Sequence, residues 1–152
     1  MTNKERAALD ILICLTLGFS FVVCGCGKEA PVPAEQENVT QLEGTWVGSE
    51  MGGRAGEWTV VVSENHVEVN GPDGESYKGI FTLDSAAGPK RVDILLKDCS
   101  QQEYVGKTAL GIYRLDGDKL TLASNEPGAA IRPEPASLQT GQDARVWTLT
   151  KQ

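Results

Sequence analysis

Histidine is almost missing from this chain: its 152 residues contain one, His66. A Ser-His-Asp triad would have to use it, and no Gly-x-Ser-x-Gly turn is present to carry the nucleophile. Zinc sites need histidine and cysteine clusters at set spacings, and the sequence does not offer them. Aromatic residues are sparse at 6%. Basic residues are outnumbered, with 14 Lys and Arg against 21 Asp and Glu and a net charge of −7. Such a surface repels phosphate backbones, so nucleic acid is not an expected partner. Long hydrophobic runs are lacking too. The longest, residues 11–23, would make a helix of roughly 20 Å, short of a bilayer core of about 30 Å.

The end of that run is informative. Val23-Cys24-Gly25-Cys26 places an aliphatic residue at −3, a small one at −1 and a cysteine at +1. Cys24 fits the pattern worse, because Val23 would stand at its −1 position. Lys4 and Arg6 supply the basic start, offset by Glu5 and Asp10. The whole resembles a bacterial lipoprotein signal. The resemblance implies cleavage before Cys26, a diacylglyceryl thioether on its thiol and a further acyl chain such as palmitate on the freed amine. It also implies a cell-envelope address, lipid-anchored to a membrane with the domain on the periplasmic or extracytoplasmic side. The alternatives are an uncleaved anchor or a signal cut nearby.

This reading changes the cysteine arithmetic. Of the four cysteines, Cys14 and Cys24 leave with the signal and Cys26 carries lipid, so Cys99 stands alone. No internal disulfide can form, and stability has to come from a packed core. Cys99 lies in a polar stretch with no histidine beside it to activate a thiolate, and reads as a spectator. Residues 1–25 hold two bases and two acids, so their removal leaves the charge at −7. The expected organisation is a signal over 1–25, a lipidated cysteine and flexible tether over 26–41, and a folded domain over 42–152. A tether of that length relaxes to about 20 Å and stretches to about 50 Å. The lipid would be the membrane contact of an otherwise acidic domain.

From residue 42 the texture is that of an antiparallel β domain, with short alternating apolar segments split by Gly, Asn, Asp and Pro and no helical stripe. Eight strands are predicted, over 45–50, 57–63, 66–70, 76–83, 91–97, 108–115, 119–124 and 144–151. The fifth is the clearest, because Val92, Ile94 and Leu96 alternate with Arg91, Asp93 and Lys97. Asp116-Gly117 between Leu115 and Leu120 signals a tight hairpin. The connections 98–107 and 125–143 are too long for hairpins and are where function would sit. The expected fold class is all-β, an antiparallel meander of about eight strands closed into a small lipocalin-like barrel; a two-sheet β-sandwich is the alternative.

Four ordered motifs carry a family resemblance. Leu42-Glu43-Gly44-Thr45-Trp46 reads L-x-G-x-W, Pro89-Lys90-Arg91-Val92-Asp93 reads P-K-x-x-D, residues 111–120 read G-I-Y-x-L-D-G-D-x-L, and Arg132-Pro133 opens an R-P-x-x-F element. Together they resemble a small uncharacterised domain abundant in planctomycete envelope proteins. Ala136 replaces the last aromatic. The resemblance implies a fold and an envelope setting, not an activity. A looser similarity is to lipocalin-like barrels, which open on Gly-x-Trp, here Gly44-Thr45-Trp46. In those barrels a late arginine packs over the tryptophan ring, which implies Arg132, with Arg145 as second candidate, within about 6 Å of Trp46.

Other constellations are weaker. Glu50 with Glu57, or Asp73 with Glu75, could be a carboxylate pair for glycoside hydrolysis, but acidic loops arise in any chain of this charge. Asp116-Gly117-Asp118 lacks the further oxygens of a calcium loop. Residues 51–56 are glycine-rich without a phosphate-loop context. Trp46, Trp58, Tyr77, Phe81, Tyr113 and Trp147 fall on strands and are core candidates, some of which could line a pocket. No catalytic residue, metal or cofactor is expected. The chain reads as a tethered, non-catalytic binding or interaction module for a small apolar ligand or an envelope protein. A structural protein with a filled barrel, or an envelope enzyme, are the alternatives. The barrel interior separates them, because an apolar cavity of about 300 Å³ or more favours a ligand.

Overall fold

A computed structural model describes residues 34–53 and 55–152. Helix α1 (Ala34–Leu42) precedes eight strands: β1 (Gly44–Glu50), β2 (Trp58–Ser63), β3 (His66–Asn70), β4 (Ser76–Asp84), β5 (Lys90–Cys99), β6 (Thr108–Asp116), β7 (Lys119–Ser124) and β8 (Arg145–Lys151). A short helix α2 (Ser137–Thr140) interrupts the connection from β7 to β8. The strands pair antiparallel in sequence order, and β8 pairs with β1 to close the barrel. Closure excludes the sandwich and leaves no sheet edge to template aggregation.

The two-residue period decides what lies inside. Trp46, Trp58, Val60, Val62, Val67, Phe81, Val92, Tyr113, Leu120, Trp147 and Leu149 form the inner core. A second cluster joins Ile112, Ala123 and Val146, from β6, β7 and β8, to Leu138 of α2. Strand neighbours of opposite parity face opposite sides of a sheet. The long connection therefore folds back over the outer wall. Strand β5 runs longer than its alternation predicts, because Asp98 and Cys99 pair with Lys78 and Tyr77 beyond a bulge at Lys78/Gly79.

The two barrel ends are built differently. At one end the strands meet in tight turns such as 64–65 and 117–118, and Gly117 with φ 58 takes the first central position of its hairpin. Helix α1 seals this end: Leu42 is buried and Val39 packs against the core. The Trp46 Nε1–H donates to the Leu42 carbonyl at 2.7 Å, and Lys90 Nζ donates to Asn38 Oδ1 at 2.7 Å. At the other end lie the longer connections 51–57, 71–75, 100–107 and 125–144.

Helix α1 corrects the expectation of a flexible tether reaching to residue 41. Its sequence carries no long apolar stripe, and a nine-residue helix is not stable alone. Val39 and Leu42, three residues apart on one face, dock it on the barrel, and tertiary contact supplies what propensity does not.

Candidate functional site at the open end of the barrel

The interior is filled at the sealed end and hollow at the other. Below, a space of about 40 Å³ remains between Leu42, Phe81, Val92 and Tyr113. Above it lies a cavity of about 600 Å³. Its wall is apolar over Val60, Val67, Val69, Ile94, Leu96, Ala109 and Leu122, and its rim comes from Gln101, Tyr104, Asn125, Glu126 and Asp143. Inward positions on β2, β3, β5, β6 and β7 create the apolar wall. Where β4 and β6 insert Phe81 and Tyr113 at the sealed end, the same two strands carry Gly79 and Ala109 at the cavity, and the smaller residues leave the space.

One side of the cavity is ionic. Arg145 shares the inward parity of Trp147 and Leu149 on β8, so its guanidinium is carried inside. Its Nε donates to Glu50 Oε1 at 2.7 Å and its NH2 to Glu50 Oε2 at 2.9 Å, a bidentate pair. NH1 donates to Glu75 Oε1 at 2.8 Å and to the Tyr77 hydroxyl at 3.2 Å. The Tyr77 hydroxyl in turn donates to Glu75 Oε1. The guanidinium carbon lies 5.1 Å from the ring centroids of both Trp58 and Trp147, which meet edge to face at 5.6 Å. The Glu50 hydrogen bonds above all hold Arg145 charged, raising its pKa against the opposing effect of burial. Burial, reinforced by the bond to Glu75, pushes the Tyr77 phenol well above its ordinary value. At the rim, the bond donated by Tyr104 to Glu126 pushes that phenol up to about 12. The Nε1 groups of Trp58 and Trp147 have no hydrogen-bond partner among the described residues.

The sequence-predicted residues fall elsewhere. Arg132 does not reach Trp46. Its NH1 donates to the carbonyls of Gly111 at 2.7 Å and Val92 at 3.3 Å, and its NH2 makes an ion pair with Asp93 at 2.6 Å. The connection bearing Arg132 runs over the outer wall, whereas the Trp46 ring is inside. The cation on that ring is Lys151, at 5.3 Å, because β8 pairs with β1 in a register that sets Lys151 opposite Trp46. Arg145, the second candidate, stacks on the other two tryptophans. Gly44 has φ 118, a conformation that favours glycine, and a Cβ there would come within 3.1 Å of Lys151. Asp116 pairs with Lys119 across the hairpin that Gly117 turns.

Neither carboxylate pair forms as drawn. Glu57 and Asp73 are exposed, while Glu50 and Glu75 meet across Arg145. His66 is exposed, and Cys99 is buried and unpaired. Cys26 lies outside the described residues. No group of three metal-binding side chains occurs among the described residues.

The four sequence motifs nonetheless form a physical unit. Leu42, Gly44 and Trp46 make the seal, Lys90 ties it to β5, and Asp93 joins Arg132 across the outer wall. No residue of these motifs lines the large cavity. The web around Arg145 is the feature that sequence reasoning missed. Its one signal was parity, a charged residue in step with Trp147 and Leu149. No protein family, curated protein or solved structure matches the chain.

Proposed function

We propose that this chain is an envelope lipoprotein of the planctomycete type, held by lipid on Cys26, whose barrel binds a small, largely apolar molecule without transforming it. The observation that carries the binding reading is the cavity. Its volume of about 600 Å³ lies within the span of about 300–1,000 Å³ typical of small-molecule sites. Its wall is mainly apolar with a few polar groups on one side, the usual division between affinity and orientation. A purely structural barrel would have no use for this space, since each unfilled volume costs core stability. The anchoring half of the proposal rests on the signal-like run and the Val23–Cys26 pattern.

Two measurements test these halves separately. Titration with decanol, followed through tryptophan fluorescence, is expected to saturate, because Trp147 borders the cavity. Filling the cavity by Ala109→Phe, or independently by Leu122→Trp, is expected to abolish saturation in a folded barrel, and unchanged binding would refute the site. Mass spectrometry of the mature N-terminus is expected to find a diacylated or triacylated Cys26, and an unmodified Cys26 would remove the anchor.

A further inference from the structure

The charges around the cavity narrow the chemistry of what enters it. Among the described lining residues, Glu50, Glu75, Glu126 and Asp143 are carboxylates and Arg145 is the one cation. That cation is already engaged. Three of its nitrogens donate to Glu50, Glu75 and Tyr77, and tryptophan rings flank the guanidinium at 5.1 Å. It therefore has no open fork for a ligand carboxylate, the geometry that makes arginine a good carboxylate receptor. Lys107 is near the rim with its Nζ 5.6 Å from the Tyr104 ring, but it does not line the cavity. Counting Lys107 with Arg145 against the four carboxylates still leaves an excess of negative charge. Glu126 and Asp143 are the exposed acids, standing at the entrance above an apolar wall.

We propose that the cavity takes an amphiphile with an apolar body and a protonated amine, the amine held at the Glu126 and Asp143 rim, and rejects a carboxylate of the same body. The inference rests on the binding reading above and adds the sign of the head group. An ammonium keeps part of its hydration at a solvent-exposed rim, so it gains attraction without the full desolvation of a buried ion. A carboxylate would meet like charge there and no available cation among the described lining residues.

The test compares decylamine, decanol and decanoate at neutral pH, below their aggregation limits, on the full chain. Decylamine is expected to bind about tenfold tighter than decanol, and decanoate more weakly than decanol. Raising the salt concentration should narrow the gap. The double substitution Glu126→Gln with Asp143→Asn is expected to bring decylamine to within about twofold of decanol and to leave decanol unchanged. Decanoate binding as well as decylamine, or no advantage of decylamine over decanol, overturns the inference while leaving the binding reading intact. Failure of all three ligands overturns both. Decylamine that still binds after Ala109→Phe and Leu122→Trp sits on the acidic surface, and that result also overturns the proposal.

Discussion

Arg145 concentrates more of the barrel's electrostatics than any other described side chain. Glu50 and Glu75 are 7% and 6% exposed, and both turn oxygens to a guanidinium whose side chain is 36% exposed. Removing one partner of a buried ion pair costs about 3–5 kcal/mol, because the other charge stays buried. Partial exposure of Arg145 puts the expected loss for Arg145→Met at the lower end, about 3 kcal/mol by chemical denaturation. Adding Glu50→Gln and Glu75→Gln to that variant should recover most of the loss, since the uncompensated charges then disappear. A loss below about 1 kcal/mol for the single variant would mean that the carboxylates draw their compensation elsewhere.

At the scale of elements, β5 was plain in the sequence because Val92, Ile94 and Leu96 alternate without interruption, and the β6–β7 turn because Asp116-Gly117 allows little else. Helix α1 was not, since its nine residues offer no apolar stripe and it is Val39 and Leu42 that dock it on the core. The stacking expected of Arg132 failed for a related reason. Sequence order puts an arginine late in the chain, but only the β1–β8 register, with Lys151 opposite Trp46, tells which cation arrives. The cavity was equally hidden, because whether a barrel is hollow depends on how unequal side chains fill two ends of the same strands. The seal can be tested as a unit. Trp46→Phe keeps an aromatic ring but removes the pyrrole half of the indole, so the bond to the Leu42 carbonyl, worth about 1 kcal/mol, is lost together with some buried volume. Hydrogen exchange of the α1 amides is expected to quicken about fivefold, while the amides of β6 and β7 change far less. Equal quickening in both would mean that α1 and the barrel open together.

For the molecule as a whole, alkaline pH is the informative stress. The chain has three tyrosines, and each phenol is shifted upward: Tyr77 and Tyr113 chiefly by burial, Tyr104 to about 12 chiefly by its bond to Glu126. A raised phenol pKa favours the protonated form in the folded state. Its contribution is complete below the ordinary value of 10.0 and is lost as pH rises through the folded value. Spectrophotometric titration of the native protein is therefore expected to show little tyrosinate near pH 10, with ionisation arriving later and alongside loss of the fold. The same titration in denaturant should return to the ordinary range. A native titration centred near pH 10 would mean that the phenols are solvated.

The seal also brings both ends of the described barrel to one side. Helix α1 enters at the closed base, and the backbone returns there, where the Gln152 N–H donates to the Thr45 carbonyl at 3.0 Å. A hold taken on the barrel at Ala34 or at Gln152 is a hold on a cup by its foot, at the end opposite the rim. A sample immobilised through Gln152 would therefore turn the rim residues Glu126 and Asp143 toward the solution.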